Sequence, residues 1–446
     1  MKPAGLLRLF PLALGTLVVP FDTALNVAFP QVIQTFGLPL PAIQWLIIAY
    51  VLTYGSLMLA VGRIGDIWGH ARVFRFGLAW SAVALLLCSL APSYGVLLAC
   101  RVLQGVGAAF VIGCGAALAT SLYPEAMRAR ALGAYAAAFA ASSALGPLLG
   151  GLLVEAWGWQ AVFWIRVPVA LLALWLLRRH PTPPPTGTAG SFDGWGAGLL
   201  AMGMASLLLA INRASLALFL LAVVALGGFI WRSLVVSRPI LELRLFRQPG
   251  FARLNLASLL VNLAGFGVML LVPFYLARVS ALPPAWLGGV LAVGHLGAML
   301  GSALGGRLGG GSRCTLLGAA LGAAGLLGIA FWSATTPPAL LLAALLLQGF
   351  GIGLFTLAYT DMTTAIMRRE DRGVAGSLAL LTRTLGIVLA ASLLTLVFGA
   401  SEAMYLATGA TPIEAFLAGF SRAFWVAGLL PLLALGLLWR RMEKSR

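Results

Sequence analysis

Asp22, in "TLVVPFDTALNVAFP" (Thr16–Pro30), is a carboxylate inside an otherwise apolar run. An ionised group there is costly, and such groups within membrane-spanning segments mark ion pathways and proton relays. Arg101, in "RVLQGVGAAF", supplies the opposite charge from another apolar run. At the helical rise per residue, Asp22 falls roughly 11 Å below the outer end of its segment and Arg101 roughly 9 Å below the start of its own. Two opposite charges at one depth can share the cost of burial. Asn26 lies one turn from Asp22, and Gln104 one turn from Arg101, so each charge has a polar companion on its own face. Burial favours a neutral acid and a guanidinium favours an ionised one. The balance can therefore shift as a cavity opens, hydrates or fills, which is what proton coupling requires. The alternative is a static ion pair that fixes the two helices.

Three further charges call for partners. Arg166 is expected roughly 10 Å below the outer face. There it could bind an anionic substrate group, stabilise Asp22, or snorkel outward. Arg422, at the start of the last apolar segment, could close an external gate with Glu155. Asp361 is the second carboxylate within a segment, roughly 10 Å from the loop at Arg368. Its nearest partner by sequence and depth is Arg383, either as a substrate or second proton site or as a structural pair. Polar and aromatic residues on central segments are the cavity candidates: Asn26, Tyr50, Tyr54, Gln104, Asn255, Asn262, Gln348 and Tyr359. Each could instead face a neighbouring helix. His295, and the four cysteines with no paired spacing, read as packing residues.

The elements that must position these groups follow from composition. Of 446 residues, 61% are hydrophobic and 9% charged, with a mean hydropathy of +1.01. A soluble domain carries about 25% charged residues, so this chain is a polytopic membrane protein, all-α, with 14 expected spans. These fall at about 6–29, 42–62, 73–92, 95–119, 131–153, 160–177, 194–212, 215–236, 252–276, 286–306, 313–332, 338–366, 373–398 and 416–439. The net charge of +17 could suggest nucleic acid, but its distribution argues otherwise. Only Arg213 and Arg278 fall in expected outer loops, and Arg101, Arg166, Arg383 and Arg422 lie inside spans. The other basic residues lie at the inner side, which places both termini in the cytoplasm and lets the surface attract anionic lipids.

"RRHPTPPPTGTAGSFDGWG" (Arg178–Gly196) and "SRPILELRLFRQPGF" (Ser237–Phe251) delimit an isolated helix pair. The expected organisation is a six-helix bundle over 1–180, a linker and two-helix insert over 181–250, and a second six-helix bundle over 251–446. An internal repeat supports it. "RVLQGVGAAF" matches "LLQGFGIGLF", pairing Gln104 with Gln348, and the same offset pairs Gly62 with Gly306 and Arg128 with Arg372. Related halves around a midplane cavity are a common plan of secondary transporters.

These motifs resemble the major facilitator superfamily, and within it the 14-helix drug:proton antiporter branch. "GRIGDIWGHAR" (Gly62–Arg72) resembles the family's loop motif G-x-L-x-D-x-x-G-R/K-R/K, "RVLQGVGAAF" its fourth-helix motif, and "ASSALGPLLGG" (Ala141–Gly151) its fifth-helix antiporter motif. "FDTALNVAFP" and "WGWQAVFWIRVP" resemble the branch's first- and sixth-helix motifs. The resemblance implies the major facilitator fold, transport by alternating access, and a coupling carboxylate at Asp22 with Arg101. It implies a cytoplasmic gate at Gly62, Asp66, Gly69, Arg72, Arg128 and Arg130. Gly146, Pro147, Gly150 and Gly151 form the exporter signature, in which proline kinks the helix and glycines allow close packing, in the expected arrangement against the tenth segment.

The expected activity is proton-coupled export of small amphiphilic or lipophilic molecules, as in multidrug efflux, by a monomer in a bacterial cytoplasmic membrane. The proton gradient is the energy source and no cofactor is expected. Two carboxylates against four arginines within spans disfavour multivalent cations. The apolar outer stretch "GASEAMYLATGATPIEA" keeps export of lipids or lipid-like molecules open, and an uncoupled facilitator is a further alternative. An integral membrane enzyme would need clustered His, Asp, Glu or Cys, which three scattered histidines and 12 acids do not supply.

Overall fold

The computed structural model describes residues 10–121, 125–179, 193–213, 215–236, 243, 246, 250–366 and 372–442. Among these, regular structure is entirely helical, and 13 helical stretches are long and apolar enough to cross a membrane. The expected segment 194–212 also forms a helix, Gly194–Arg213, with its apolar part at Gly194–Leu207.

The first span is where expectation and structure part. A continuous segment over 6–29 was the simplest reading, but the chain forms α1 (Phe10–Leu17), a 3-10 turn (Pro20–Ala24) and α2 (Leu25–Phe36). Pro20 explains the break. It has no N–H to give, and its ring clashes with the carbonyl of Thr16, four residues earlier. Asp22 thus sits on a 3-10 turn rather than within a regular helix. Gly37, at φ 60°, ends α2 in the left-handed conformation that only glycine adopts freely.

The first compact unit comprises 1–38 and 45–240. Its further helices are α3 (Ile43–Trp68), α4 (His70–Ser89), α5 (Tyr94–Ser121), α6 (Glu125–Trp157), α7 (Ala161–Trp164), α8 (Arg166–Arg178), α9 (Gly194–Arg213) and α10 (Leu216–Val235). The hairpin α9–α10 is tied at one end by Asp193. Its carboxylate accepts from the Gly196 N–H at 3.0 Å, capping α9, and from the Arg232 guanidinium of α10.

The second unit comprises 39–44 and 241–446. It contains α11 (Phe251–Arg278), α12 (Pro284–Arg307), α13 (Gly311–Ala330), α14 (Pro338–Ile366), α15 (Arg372–Ala407) and α16 (Pro412–Met442). The stretch 399–415, expected as an outer loop, is mostly helix. α15 runs through "ASEAMYLA", which holds no glycine or proline, and ends at Ala407, with Gly409 turning the chain at φ 85°. Thr411 and Glu414 then exchange bonds as a capping box that starts α16.

The repeat has a physical basis inside each unit. In α5, a Cβ on Gly105 would lie 2.8 Å from the Tyr50 carbonyl of α3, and one on Gly107 would meet Ser81 of α4. At the matching positions of α14, Gly349 abuts the Gly294 carbonyl of α12, and Gly351 abuts Gly322 of α13. The same small residues thus bring the same pair of neighbours close in both halves.

Candidate functional site: a carboxylate between two guanidinium groups

The break in the first span frees backbone groups that must find partners. α6 supplies several. The Ser142 hydroxyl donates to Leu17 O at 2.7 Å, at the end of α1, and the Thr23 hydroxyl donates to Ser143 O at 2.9 Å. Thr23 Oγ1 also lies 3.2 Å from Pro20 O, an alternative acceptor. Ser143 O is free to accept because Pro147, four residues on in α6, has no N–H to bond it. Two glycines give the turn its seat. A Cβ on Gly146 would fall on the Thr23 hydroxyl, and one on Gly150 would lie 2.8 Å from Ala24 Cα and 2.9 Å from its carbonyl oxygen. Within the first unit, the antiporter motif on α6 thus faces the acidic turn.

On that turn the Asp22 carboxylate is held by three side chains. Arg101 of α5 binds it as a fork, Nη1 to Oδ1 and Nη2 to Oδ2, both at 2.8 Å. Gln104, one turn along, donates from Nε2 to Oδ1 at 3.0 Å and accepts from Arg101 Nη1 at 2.7 Å. Arg166, the first residue of α8, donates from Nη1 to Oδ1 at 3.0 Å. The Arg101 guanidinium lies over the Tyr50 ring at 4.2 Å, and Tyr54 meets Tyr50 edge-on at 5.2 Å. Arg101 Nε donates to Leu46 O at 3.0 Å. Arg101 and Arg166 are 1% and 2% exposed, whereas the Asp22 side chain keeps 15%. Asp22 is therefore the least enclosed of the three charged side chains.

The depth argument that paired Asp22 with Arg101 agrees with this geometry. The Arg166 alternatives resolve towards Asp22. Its side chain does not snorkel but stays buried, with Nε on Val162 O at 2.8 Å and Nη1 reaching Val18 O at 3.4 Å. Both acceptors lie beside helix breaks, where carbonyls lack ordinary partners. With Asp22 ionised, the cluster carries one negative and two positive charges. Asn26 is buried on α2.

The remaining candidates are placed as follows. Asp66 lies 3.2 Å from His70, four residues on, where the loop motif has a basic residue. Gly65 makes room for that imidazole, and Gly69 turns the chain at φ 90°. Gly62 stands 3.8 Å from the Gly113 carbonyl by its virtual Cβ, and Arg72 is exposed on α4. Arg128 and Arg130 belong to α6, but their side chains lie outside the described residues. Gly151 is buried on α6, while Glu155 is exposed there. In the second unit, Arg422 stacks over Tyr405 at 5.3 Å. Asn255 and Tyr359, offered as cavity residues, are buried and bonded to each other at 2.8 Å. The Asn262 amide donates to Ser258 O, one turn back on its own helix. Gln348 is buried and packs on Gly325. Asp361, on α14, reaches the α12–α13 turn, its Oδ2 2.8 Å from where a Gly310 Cβ would be, and Arg383 is exposed on α15.

Two helical units of spanning segments, with a buried charge cluster on a discontinuous helix, define a polytopic membrane transporter. The chain belongs to the Major Facilitator Superfamily, whose family model matches residues 12–391. It is 32% identical over 438 residues to the puromycin resistance protein pur8 of Streptomyces alboniger, covering 93% of this chain and 86% of that protein. It is 26% identical to the riboflavin transporter RibZ of Clostridioides difficile (strain 630), over 97% of each. The multidrug resistance protein Stp of Mycobacterium tuberculosis (strain CDC 1551 / Oshkosh) is 28% identical, covering 86% of this chain and 74% of that protein. Among solved structures, a bacterial homolog to the human lysosomal transporter Spinster shares the fold. Its TM-score is 0.73 at 18% identity, covering 100% of this chain and 99% of that one.

Proposed function

We propose that the protein is a proton-coupled exporter of small amphiphilic molecules in a bacterial cytoplasmic membrane, with both termini cytoplasmic and Asp22 as the coupling group. The observation that carries this reading is a carboxylate on a broken span, gripped by donors from two other helices. Protonating Asp22 in place would leave two buried guanidinium groups without their counter-charge, a costly arrangement. Proton uptake therefore goes with separation of the turn from an arginine, which links protonation to a change of conformation. The relatives named for antibiotic resistance and multidrug resistance support export. The net positive cluster favours neutral, zwitterionic or amphiphilic substrates over multivalent cations.

The test is substrate-evoked proton release from the purified protein, wild type beside Asp22→Asn, with a panel of dyes, antibiotics and lipids. The wild type is expected to release protons, and the variant to bind substrate but release none. Equal release by both would make the Asp22 cluster a scaffold and end the coupling assignment.

A further inference from the structure

The antiporter motif and the acidic turn meet at one hydrogen bond, Thr23 Oγ1 to Ser143 O at 2.9 Å. We propose that Thr23 and Pro147 are a positioning pair for proton coupling, Pro147 releasing the Ser143 carbonyl that Thr23 uses to hold the Asp22 turn. The inference rests on Asp22 as the coupling group and goes beyond it by assigning how that group is held.

Three observations converge. A regular helix would spend Ser143 O on the N–H four residues on, and proline at 147 abolishes that donor. The released carbonyl accepts from the residue next to Asp22 in the chain, so the bond fixes the turn at its functional residue. On the other side of the break, Ser142 holds Leu17 O at 2.7 Å, so adjacent residues of α6 grip both ends of the irregular backbone. Gly146 completes the device, since any side chain there would occupy the position of the Thr23 hydroxyl. A 3-10 turn has weaker internal bonding than an α-helix, so its orientation depends on such external ties. The bond is also exchangeable. Thr23 Oγ1 has a second acceptor within its own turn, Pro20 O at 3.2 Å. The turn can therefore leave α6 without stranding a buried hydroxyl, which suits a group that must move to change protonation.

The experiment compares Thr23→Val, Thr23→Ser and Pro147→Ala in the full-length protein. The readouts are protons released per bound dye and the dye's Kd. Thr23→Val keeps the side-chain shape and removes the donor; Pro147→Ala restores the N–H that reclaims Ser143 O. Each is expected to cut proton release per bound dye by about fivefold, the worth of one hydrogen bond, with Kd within about twofold of wild type. Thr23→Ser is expected to restore release. The double variant is expected to lose no more than either single one, as two members of one bond should. Wild-type release in Thr23→Val, failure of serine to rescue it, or additive losses would overturn the proposal. Absence of release from the wild type itself would instead refute coupling at Asp22.

Discussion

Gly150→Ala is the sharpest steric probe of the acidic turn. The added methyl would lie 2.7 Å from Ala24 Cβ, 2.8 Å from its Cα and 2.9 Å from its carbonyl oxygen, where ordinary contact begins near 3.4 Å. Two of these atoms are backbone, so a rotamer change cannot relieve the clash, and the turn must retreat from α6 by the difference, roughly 0.5–0.7 Å. Both Asp22–Arg101 bonds are 2.8 Å long. A shift of that size stretches or tilts them towards the limit of a hydrogen bond. Overpacking costs about 1–3 kcal/mol, offset by the about 0.5–1 kcal/mol gained when alanine replaces glycine within a helix. The melting temperature should therefore fall only slightly while proton release per bound dye falls steeply. Gly133→Ala, on the same helix with nothing within 4 Å of its virtual Cβ, is the control. It should melt at or above the wild-type temperature and release protons normally. A Gly150→Ala protein with wild-type release would refute the claim that this face of α6 sets the carboxylate's geometry.

Two substitutions test the charge cluster and its boundary. Arg101→Lys keeps the charge but cannot form the two-pronged contact or the Nε bond to Leu46 O; substrate-evoked proton release should drop about tenfold or more, the loss of one charge-assisted bond, and full release would refute the need for the fork. Asp361→Asn should leave proton release unchanged, because that carboxylate stands at the α12–α13 turn beside Gly310; loss of release in the same assay would establish a second coupling group.

The Asp22–Arg101 pair was legible from helical rise and the cost of burying charge, two properties that do not depend on neighbours. Gln104 followed from its one-turn spacing. The break was written in Pro20, yet proline in a spanning helix produces a kink as readily as a break, and surrounding helices decide which. Arg166 was undecided for a similar reason. Whether its long side chain snorkels or turns inward depends on the Val18 and Val162 carbonyls, and on Asp22, 144 residues away. Asn255 and Tyr359 were open between cavity and helix contact, because each alone is a polar residue among apolar ones. Their mutual bond spans 104 residues. His70 was readable four residues after Asp66, but the loop motif drew the reading to the arginines.

The two halves show which parts of the sequence serve the frame and which serve the chemistry. Gly105 and Gly107 recur as Gly349 and Gly351, and each pair brings the corresponding neighbours against the central helix. Gln104 recurs as Gln348. The charges at Asp22, Arg101 and Asp66 do not recur. Leu345 stands at the position matching Arg101, Phe266 at that matching Asp22, and Gly310 at that matching Asp66. Gln348, with no acid or arginine at the matching positions, sets its backbone and Cβ against Gly325, and its amide Nε2 lies 3.4 Å from where a Gly265 Cβ would be. Close helix approach is needed twice, once per bundle, so the glycines are held in both copies. A buried ion pair is costly wherever it has no function, and among the described residues the buried acid–arginine cluster stands in the first unit alone. The asymmetry supports the proposal that places coupling on the first unit's broken helix, with the glycine frame repeated in each unit.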